Sequence, residues 1–359
     1  MSKPTLLILF GGKSTEYEVS LVSAHSILSN VNRDKYNVVT VGITKDGDWY
    51  LFEGDIANIK NGSWCINTSV LAKAALSPSP SDRGLYVFGE DGAKLVHIDV
   101  IFPVMHGANA EDGTLQGLMQ LSGIPFVGCG CATSAIGMDK GYTKLVLNNF
   151  DIPQAKCKII LRADLEDREA VLDECETLGK YPLFVKPANA GSSVGASKAV
   201  DRTSLDAALT LAAKHDSKII VEEYVKGKEV EVAVIGNGEY TASTPGQINP
   251  GAEFYDYDAK YSADSNSSCL IPADIKPETA EKVREYAVRI CSALGVSGLS
   301  RVDFFVSSRC GKEKIIFNEI NTLPGFTQIS MYPKLLMHDG RTYPEIIDAL
   351  IALAMEKEA

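Results

Sequence analysis

Near the C-terminal end two β-rich runs, RVDFFV and KIIFNEIN, are separated only by SSRCGKE. So short a connection leaves antiparallel pairing as their natural arrangement. Alternation puts Arg301, Asp303 and Phe305 on one face of the first strand, and Phe317, Glu319 and Asn321 on one face of the second. With the turn near Gly311, Asp303 falls opposite Glu319 and Arg301 opposite Asn321. Two carboxylates and an amide oxygen then converge beside a guanidinium, a donor set that suits Mg²⁺. The plainer alternative is a solvated strand face with a surface ion pair. The following loop, TLPGF, contains Gly325, where the backbone can approach a ligand closely.

A chain of 359 residues suggests two or three domains with ample core. Its longest apolar runs, such as LLILF near the start, fall well short of a membrane span, and no basic n-region precedes them. Eight cysteines lie scattered without a CxxC pair, which disfavours both a disulfide framework and a thiolate metal site. A cytoplasmic location is the expectation. The net charge of −11 disfavours nucleic acid as partner, so an anionic substrate would need local lysines and a metal.

From the N-terminus, Pro4 to Phe10 reads as a strand ended by Gly11 and Gly12, followed by a helix. That is the opening of an α/β domain with its site at the strand ends. GGKST resembles the tail of a phosphate-binding P-loop, but that motif needs a glycine where Leu7 stands. Thr15-x-x-Glu18 fits a capping box; alternatively, Glu18 presents its carboxylate in a cleft to an ammonium group. The KDGD turn predicts a hairpin, SPSPSD a loop, and the region after Gly54 irregular structure. HIDVIFPVMHG predicts a buried parallel strand feeding a loop with His106, Glu111 and Asp112, then a helix ending at Gly123. His106 is either a structural hydrogen-bonder or a functional group.

The texture changes after Ile124-Pro125, which sets the first boundary. CATSAIGMDKGYTKLVLNNF is helical but broken near Gly137 and Gly141, and it carries Lys140 and Lys144. The strand PLFVKP delivers Lys186 ahead of a Gly/Ser loop, a plausible phosphate cover that also fits an ordinary turn. In KIIVEEYVKGKEVEVAVIG the acidic residues are either edge-strand charges or a ribose holder. The long polar stretch from Pro245 to Pro272 reads as a functional lid, because Tyr255, Tyr257 and Tyr261 argue against plain disorder. Two amphipathic helices, PETAEKVREYAVRICSALG and YPEIIDALIALAMEK, complete the chain.

Taken in order, GGxSxExEVSL at Gly11–Leu21, HGxxxEDGTLQG at His106–Gly117, MDK at Met138–Lys140, KPxxxGSSVG at Lys186–Gly195, YDYDAKY at Tyr255–Tyr261, RVD at Arg301–Asp303 and NEINTLPGFTxxS at Asn318–Ser330 resemble the D-alanine–D-alanine ligase family. The resemblance implies an α/β ATP-grasp fold, with an N-terminal Rossmann-like α/β domain (1–124) followed by two α+β lobes (125–225 and 226–359) that clasp ATP. It implies that Lys140, Lys186, Ser193, Glu222, Tyr224, Val225, Glu229 and the lid residue Lys260 bind ATP. Asp303, Glu319 and Asn321 would hold two Mg²⁺ ions, for which Mn²⁺ could substitute. Glu18 would take the ammonium of the first D-alanine, with His106 near its carboxylate. Arg301 and the Gly325 N–H would form the oxyanion site, and Ser330 and Met331 would hold the carboxylate of the second D-alanine. Tyr261, Ser192 and Glu18 would lock the closed lid. The family also implies a homodimer without membrane insertion or nucleic acid.

The implied reaction makes the D-alanyl-D-alanine dipeptide for peptidoglycan precursors through an acyl phosphate. A variant ligase of the same family, joining D-alanine to D-serine or D-lactate, is the alternative, and GITKDGDWY looks like the serine-forming group. Tyr261 argues against the lactate form, whose lid carries histidine. Met331 is apolar where selection of a hydroxyl would gain from a polar partner. A non-catalytic binding module would be expected to lack part of the metal set or Lys260, and all are present.

Overall fold

The structure is a computed structural model that describes residues 3–191, 193–249 and 268–356. Its first 104 residues build a seven-stranded sheet from β1 (Thr5–Gly11), β2 (Asn37–Ile43), β3 (Trp49–Phe52), β4 (Leu71–Leu76), β5 (Gly84–Gly89), β6 (Gly92–His97) and β7 (Val100–Val104). The order is β6-β5-β4-β3-β2-β1-β7. Only β2, β1 and β7 run parallel; the other pairings are antiparallel. The sheet is therefore mixed: a parallel part, β2-β1-β7, continues through the KDGD hairpin into antiparallel strands. Strands β4 to β6 occupy much of the stretch that reads as irregular in sequence. At the free edge, β6 carries no buried residue, so there is little apolar alternation to detect. At the opposite, parallel end of the sheet, Leu6 to Phe10 and Val100 to Phe102 are buried throughout, as parallel strands covered on both faces require.

A second, four-stranded sheet contains β8 (Cys157–Leu161), β9 (Leu183–Pro187), β10 (Ser197–Ala199) and β11 (Lys218–Glu223), in the order β10-β9-β11-β8. A third is built on β12 (Lys228–Asn237), β13 (Glu239–Ala242), β14 (Gly246–Asn249), β15 (Ser268–Leu270), β16 (Ser297–Arg309) and β17 (Lys312–Asn321). Its main path is β15-β14-β12-β16-β17, with β13 paired to β12. The helix Pro277–Leu294 seals one face through Val283, Ala287, Ile290 and Cys291.

The chain's two ends share a core. Leu6, Ile8, Phe102 and Ile27 belong to one apolar cluster with Phe326 from the loop after β17 and Tyr332, Ile347 and Leu350 from the C-terminal helices. The loop between β17 and the helix Met331–His338 is thereby drawn beneath the first sheet. No helix among the described residues is long and apolar enough to cross a membrane.

Candidate active site

The hairpin β16–β17 pairs Arg301 with Asn321 and Asp303 with Glu319, the register expected from the sequence. One residue further the register slips, and Phe304 pairs with Phe317. This bulge overturns the expectation that Phe317 shares a face with Glu319. Phe317 turns into the core, 1% exposed, with its ring 6.2 Å from that of Phe304. Bulges bend a strand and re-aim its side chains, which is why they recur beside active sites. Here the slip gives Asn318 an outlet on the site side, where its amide oxygen lies 3.4 Å from Lys186 Nζ.

On the hairpin face, Arg301 donates from Nε and Nη2 to Asp303, each at 2.8 Å, and Nε also lies 2.9 Å from Glu231. Asn321 donates to Asp303 at 3.0 Å. Lys140 Nζ approaches Glu319 at 3.4 Å and donates to the Ala190 carbonyl at 2.9 Å. Burial disfavours the Arg301 cation, but Asp303 and Glu231 outweigh that, so its pKa rises and it stays charged.

Two clefts meet at this face. The first is lined by Lys186, Ser193, Glu222, Tyr224, Val225 and Glu229, so it brings together every described residue assigned to ATP by resemblance, Lys140 included. The helix Lys140–Leu147 starts on Asp139, whose side chain accepts the Tyr142 N–H at 3.0 Å. Four residues along one helical face, Lys140 and Lys144 reach different acids. Lys144 Nζ sits 2.6 Å from one Glu222 oxygen, and Lys186 Nζ sits 2.8 Å from the other. Burial pushes the Glu222 carboxyl up, yet the two lysines overcome it and hold it at about 2. Lys144, which the sequence leaves without a role, is thus part of this cleft's charge balance.

The second cleft is lined by Arg301, Asn321, Gly325, Ser330, Met331 and His106. A Cβ on Gly325 would come within 3.0 Å of Ser330 Oγ, so the loop packs tightly there. Ser330 and Thr327 share hydroxyl and backbone hydrogen bonds of 2.8–3.1 Å, and Met331 opens a helix. His106 is buried between Ser23 and the Leu323 carbonyl, so both of its ring nitrogens already have protein partners.

Glu18 is not in either cleft. It lies exposed on the helix Tyr17–Asn30 in an ion pair with Lys45. Nor does it form a capping box: Glu16 occupies the cap position, and there is no side-chain capping bond. The cleft carboxylate is Glu16, which successive turns of about 100° per residue separate from Glu18. A Cβ on Gly107 or on Gly191 would fall 2.6 or 2.8 Å from Glu16 Oε2, so both glycines make room for this acid. Sequence reading placed Glu111 in the loop after His106 but gave it no role; it accepts the Gly107 N–H at 2.8 Å and the Leu323 N–H at 3.2 Å. Burial and the nearby Glu16 raise its pKa to about 8. The ExE spacing and the HGxxxED loop were the available signals, but neither says which acid points inward. Ser192, Lys260 and Tyr261 lie outside the described residues.

Family models described as the D-ala D-ala ligase N-terminus and C-terminus match residues 5–129 and 146–352. A D-alanine–D-alanine ligase of Acetivibrio thermocellus is 48% identical, covering 99% of this chain and 96% of that relative. One from Ruminiclostridium cellulolyticum is also 48% identical, with the same coverage of 99% and 96%. Among solved structures, the VanG D-Ala:D-Ser ligase from Enterococcus faecalis superposes with a TM-score of 0.89 at 39% identity, covering 98% of this chain and all of that one. The D-alanine–D-alanine ligase from Coxiella burnetii gives a TM-score of 0.84 at 30% identity, over 99% and 96% of the two chains.

Proposed function

The chain belongs to the D-alanine–D-alanine ligase family and is a ligase, and on that premise we propose that it condenses two D-alanine molecules at the expense of ATP. The observation that carries the reading is the junction of the clefts: Lys140, Glu231, Arg301 and Glu319 line both. A nucleotide in one cleft and an amino acid in the other would meet at the same charged hairpin face.

In this reading a carboxylate oxygen of the first D-alanine attacks the γ-phosphorus and ADP leaves, giving an acyl phosphate. The amine of the second D-alanine attacks the acyl carbon, loses a proton, and inorganic phosphate departs. Lys140 and Lys186 attract the phosphates, while Glu222, Tyr224, Val225 and Glu229 line the adenine and ribose end. Arg301 and the Gly325 N–H stabilise the tetrahedral oxyanion. Glu16, in place of Glu18, takes the ammonium of the first D-alanine. The N-terminus of the helix Met331–His338, with Ser330, suits the second carboxylate because free N–H groups and the helix dipole favour an anion there.

Asp303, Glu319 and Asn321 fit Mg²⁺ by chemistry: two carboxylates and an amide oxygen on one face of the hairpin, with Glu319 lining both clefts. The site reaches three donors only by counting the amide, since no trio of His, Cys, Asp or Glu gathers among the described residues. When bound, the ions would neutralise phosphate charge. Lys260, Tyr261 and Ser192 complete the proposal as lid groups excluding water from the acyl phosphate. Three units of about 1–124, 125–225 and 226–359, a homodimer, a cytoplasmic location and a role in peptidoglycan precursor synthesis follow from the same family reading.

A second reading, D-alanine–D-serine ligase, is favoured by the likeness to the Enterococcus faecalis enzyme. Apolar Met331 in the second cleft supports D-alanine instead. Equal D-alanine, D-serine and D-lactate competing with ATP decide it. D-alanyl-D-alanine should dominate, and a dominant D-alanyl-D-serine product would overturn the first reading.

A further inference from the structure

Ser23 is fully buried in the helix Tyr17–Asn30, and nothing in the sequence marks it out. Its hydroxyl oxygen lies 3.1 Å from His106 Nε2 and accepts the Phe326 N–H at 3.4 Å. His106 Nδ1 lies 3.0 Å from the Leu323 carbonyl oxygen. A carbonyl only accepts, so Nδ1 carries the hydrogen. In the neutral ring Nε2 is then the acceptor, and the Ser23 hydroxyl donates to it. The chain of bonds runs from Phe326 N–H to Ser23, from Ser23 to His106, and from His106 back to Leu323. Glu111 adds a second tie to the same loop through the Leu323 N–H and the Gly107 N–H.

Both the N–H and the C=O of Leu323, and the N–H of Phe326, are thus held by residues from the first third of the chain. Between those anchors sit Pro324 and Gly325. A doubly protonated His106 would instead donate from Nε2 to the Ser23 hydroxyl, reversing that hydrogen bond. The charged groups around the ring are Glu16 at the head of the Ser23 helix, Glu111 on the ring's own loop, and Arg301 from β16 across the cleft. Burial pushes the His106 pKa down, opposed by the charge of Glu16 and by the Leu323 bond.

We propose that Ser23 is a positioning residue for ligation: it locks His106 as the neutral Nδ1–H tautomer, and the pair fixes the Leu323–Phe326 backbone that aims the Gly325 N–H. This rests on the ligase reading for its consequence, but the tautomer itself does not. His106 here works through the loop rather than through substrate charge.

The test combines histidine ¹⁵N NMR on the full-length protein with steady-state kinetics. In the wild type, His106 should show the Nδ1–H pattern and no titration between about pH 5.5 and 8.5. Ser23→Ala removes the donor to Nε2, so the ring should begin to titrate. The kcat for dipeptide synthesis should fall about tenfold, with the KM for ATP changed less than about twofold. His106→Asn, whose amide can reproduce the Nδ1 donor, should retain more kcat than His106→Gln. A wild-type His106 that is Nε2–H or titrates near its ordinary value overturns the proposal, as does His106→Gln outperforming His106→Asn. The wild-type spectrum decides the tautomer even where Ser23→Ala fails to fold. The predicted tautomer in a protein that makes no dipeptide would sink the ligase reading while leaving the Ser23 relay standing.

Discussion

Two glutamates, one lining each cleft, sit on opposite sides of their ordinary pKa. In the cleft lined by Lys186 and Tyr224, burial works against the Glu222 anion, yet Lys144 and Lys186 hold its carboxyl at about 2. In the cleft lined by His106 and Met331, burial works in the same direction on Glu111, and Glu16 adds to it, so the carboxyl rises to about 8 despite two backbone N–H bonds. The desolvation cost is common to both; the sign is set by the neighbours. One cleft is lined with cations suited to an anionic nucleotide. The other concentrates acids where an amino acid's ammonium would arrive.

The comparison breaks most visibly at Glu222. Replacing it by Gln leaves two buried lysines with no anion between them. A shift from 4.5 to about 2 corresponds to about 3 kcal/mol of stability at neutral pH. Because the folded pKa is depressed, this contribution is present above the unfolded value and lost as pH falls through 4.5 towards 2. Denaturant unfolding of wild type and Glu222→Gln should show the gap at pH 7 and its closure in acid. A gap that persists unchanged at low pH would reject the two-lysine account.

Kinetics of Glu16→Gln and Glu18→Gln sharpen the other side. Loss of the Glu16 charge should raise the KM for the first D-alanine about tenfold, equivalent to about 1.4 kcal/mol. Glu18→Gln, which only loosens a surface pair with Lys45, should stay close to wild type. The reverse ranking would restore Glu18 to the cleft.

A smaller effect on stability than at Glu222 is expected at Glu111. With its folded pKa raised, its contribution is full below the unfolded value of 4.5 and fades as pH climbs through about 8. Glu111→Gln forfeits one backbone acceptor, costing about 1 kcal/mol at pH 6. Unfolding measured from pH 6 to 9 should show that deficit shrinking as pH rises, the opposite direction to Glu222→Gln. A deficit that grows with pH would mean the Glu111 anion is stabilised by partners other than those seen here.

Much of this was written locally in the chain. Strand alternation around a short turn set Arg301 opposite Asn321 and Asp303 opposite Glu319. The glycine after Ser122 ended its helix in the left-handed conformation, and the helix break before Lys140 fell within a residue or two of the expected glycines. Periodicities of two and 3.6 depend on near neighbours, so a linear reading can recover them. The same reading stopped where a local rule had two outcomes. The bulge that buries Phe317 follows from core packing against Phe304, and alternation alone cannot place it.

The sequence by itself determined the residue types the chemistry needs, their order along the chain, and the hairpin register that sets Arg301 opposite Asn321 and Asp303 opposite Glu319. Tertiary structure alone decided which glutamate of the ExE pair turns inward, that Lys144 and Lys186 share Glu222, and that Ser23, His106 and Glu111 hold Leu323 and Phe326. Those partners lie tens to hundreds of residues apart. Whether a carboxyl is an anion held by cations or an acid protonated by burial depends on groups that only folding brings within a few ångströms.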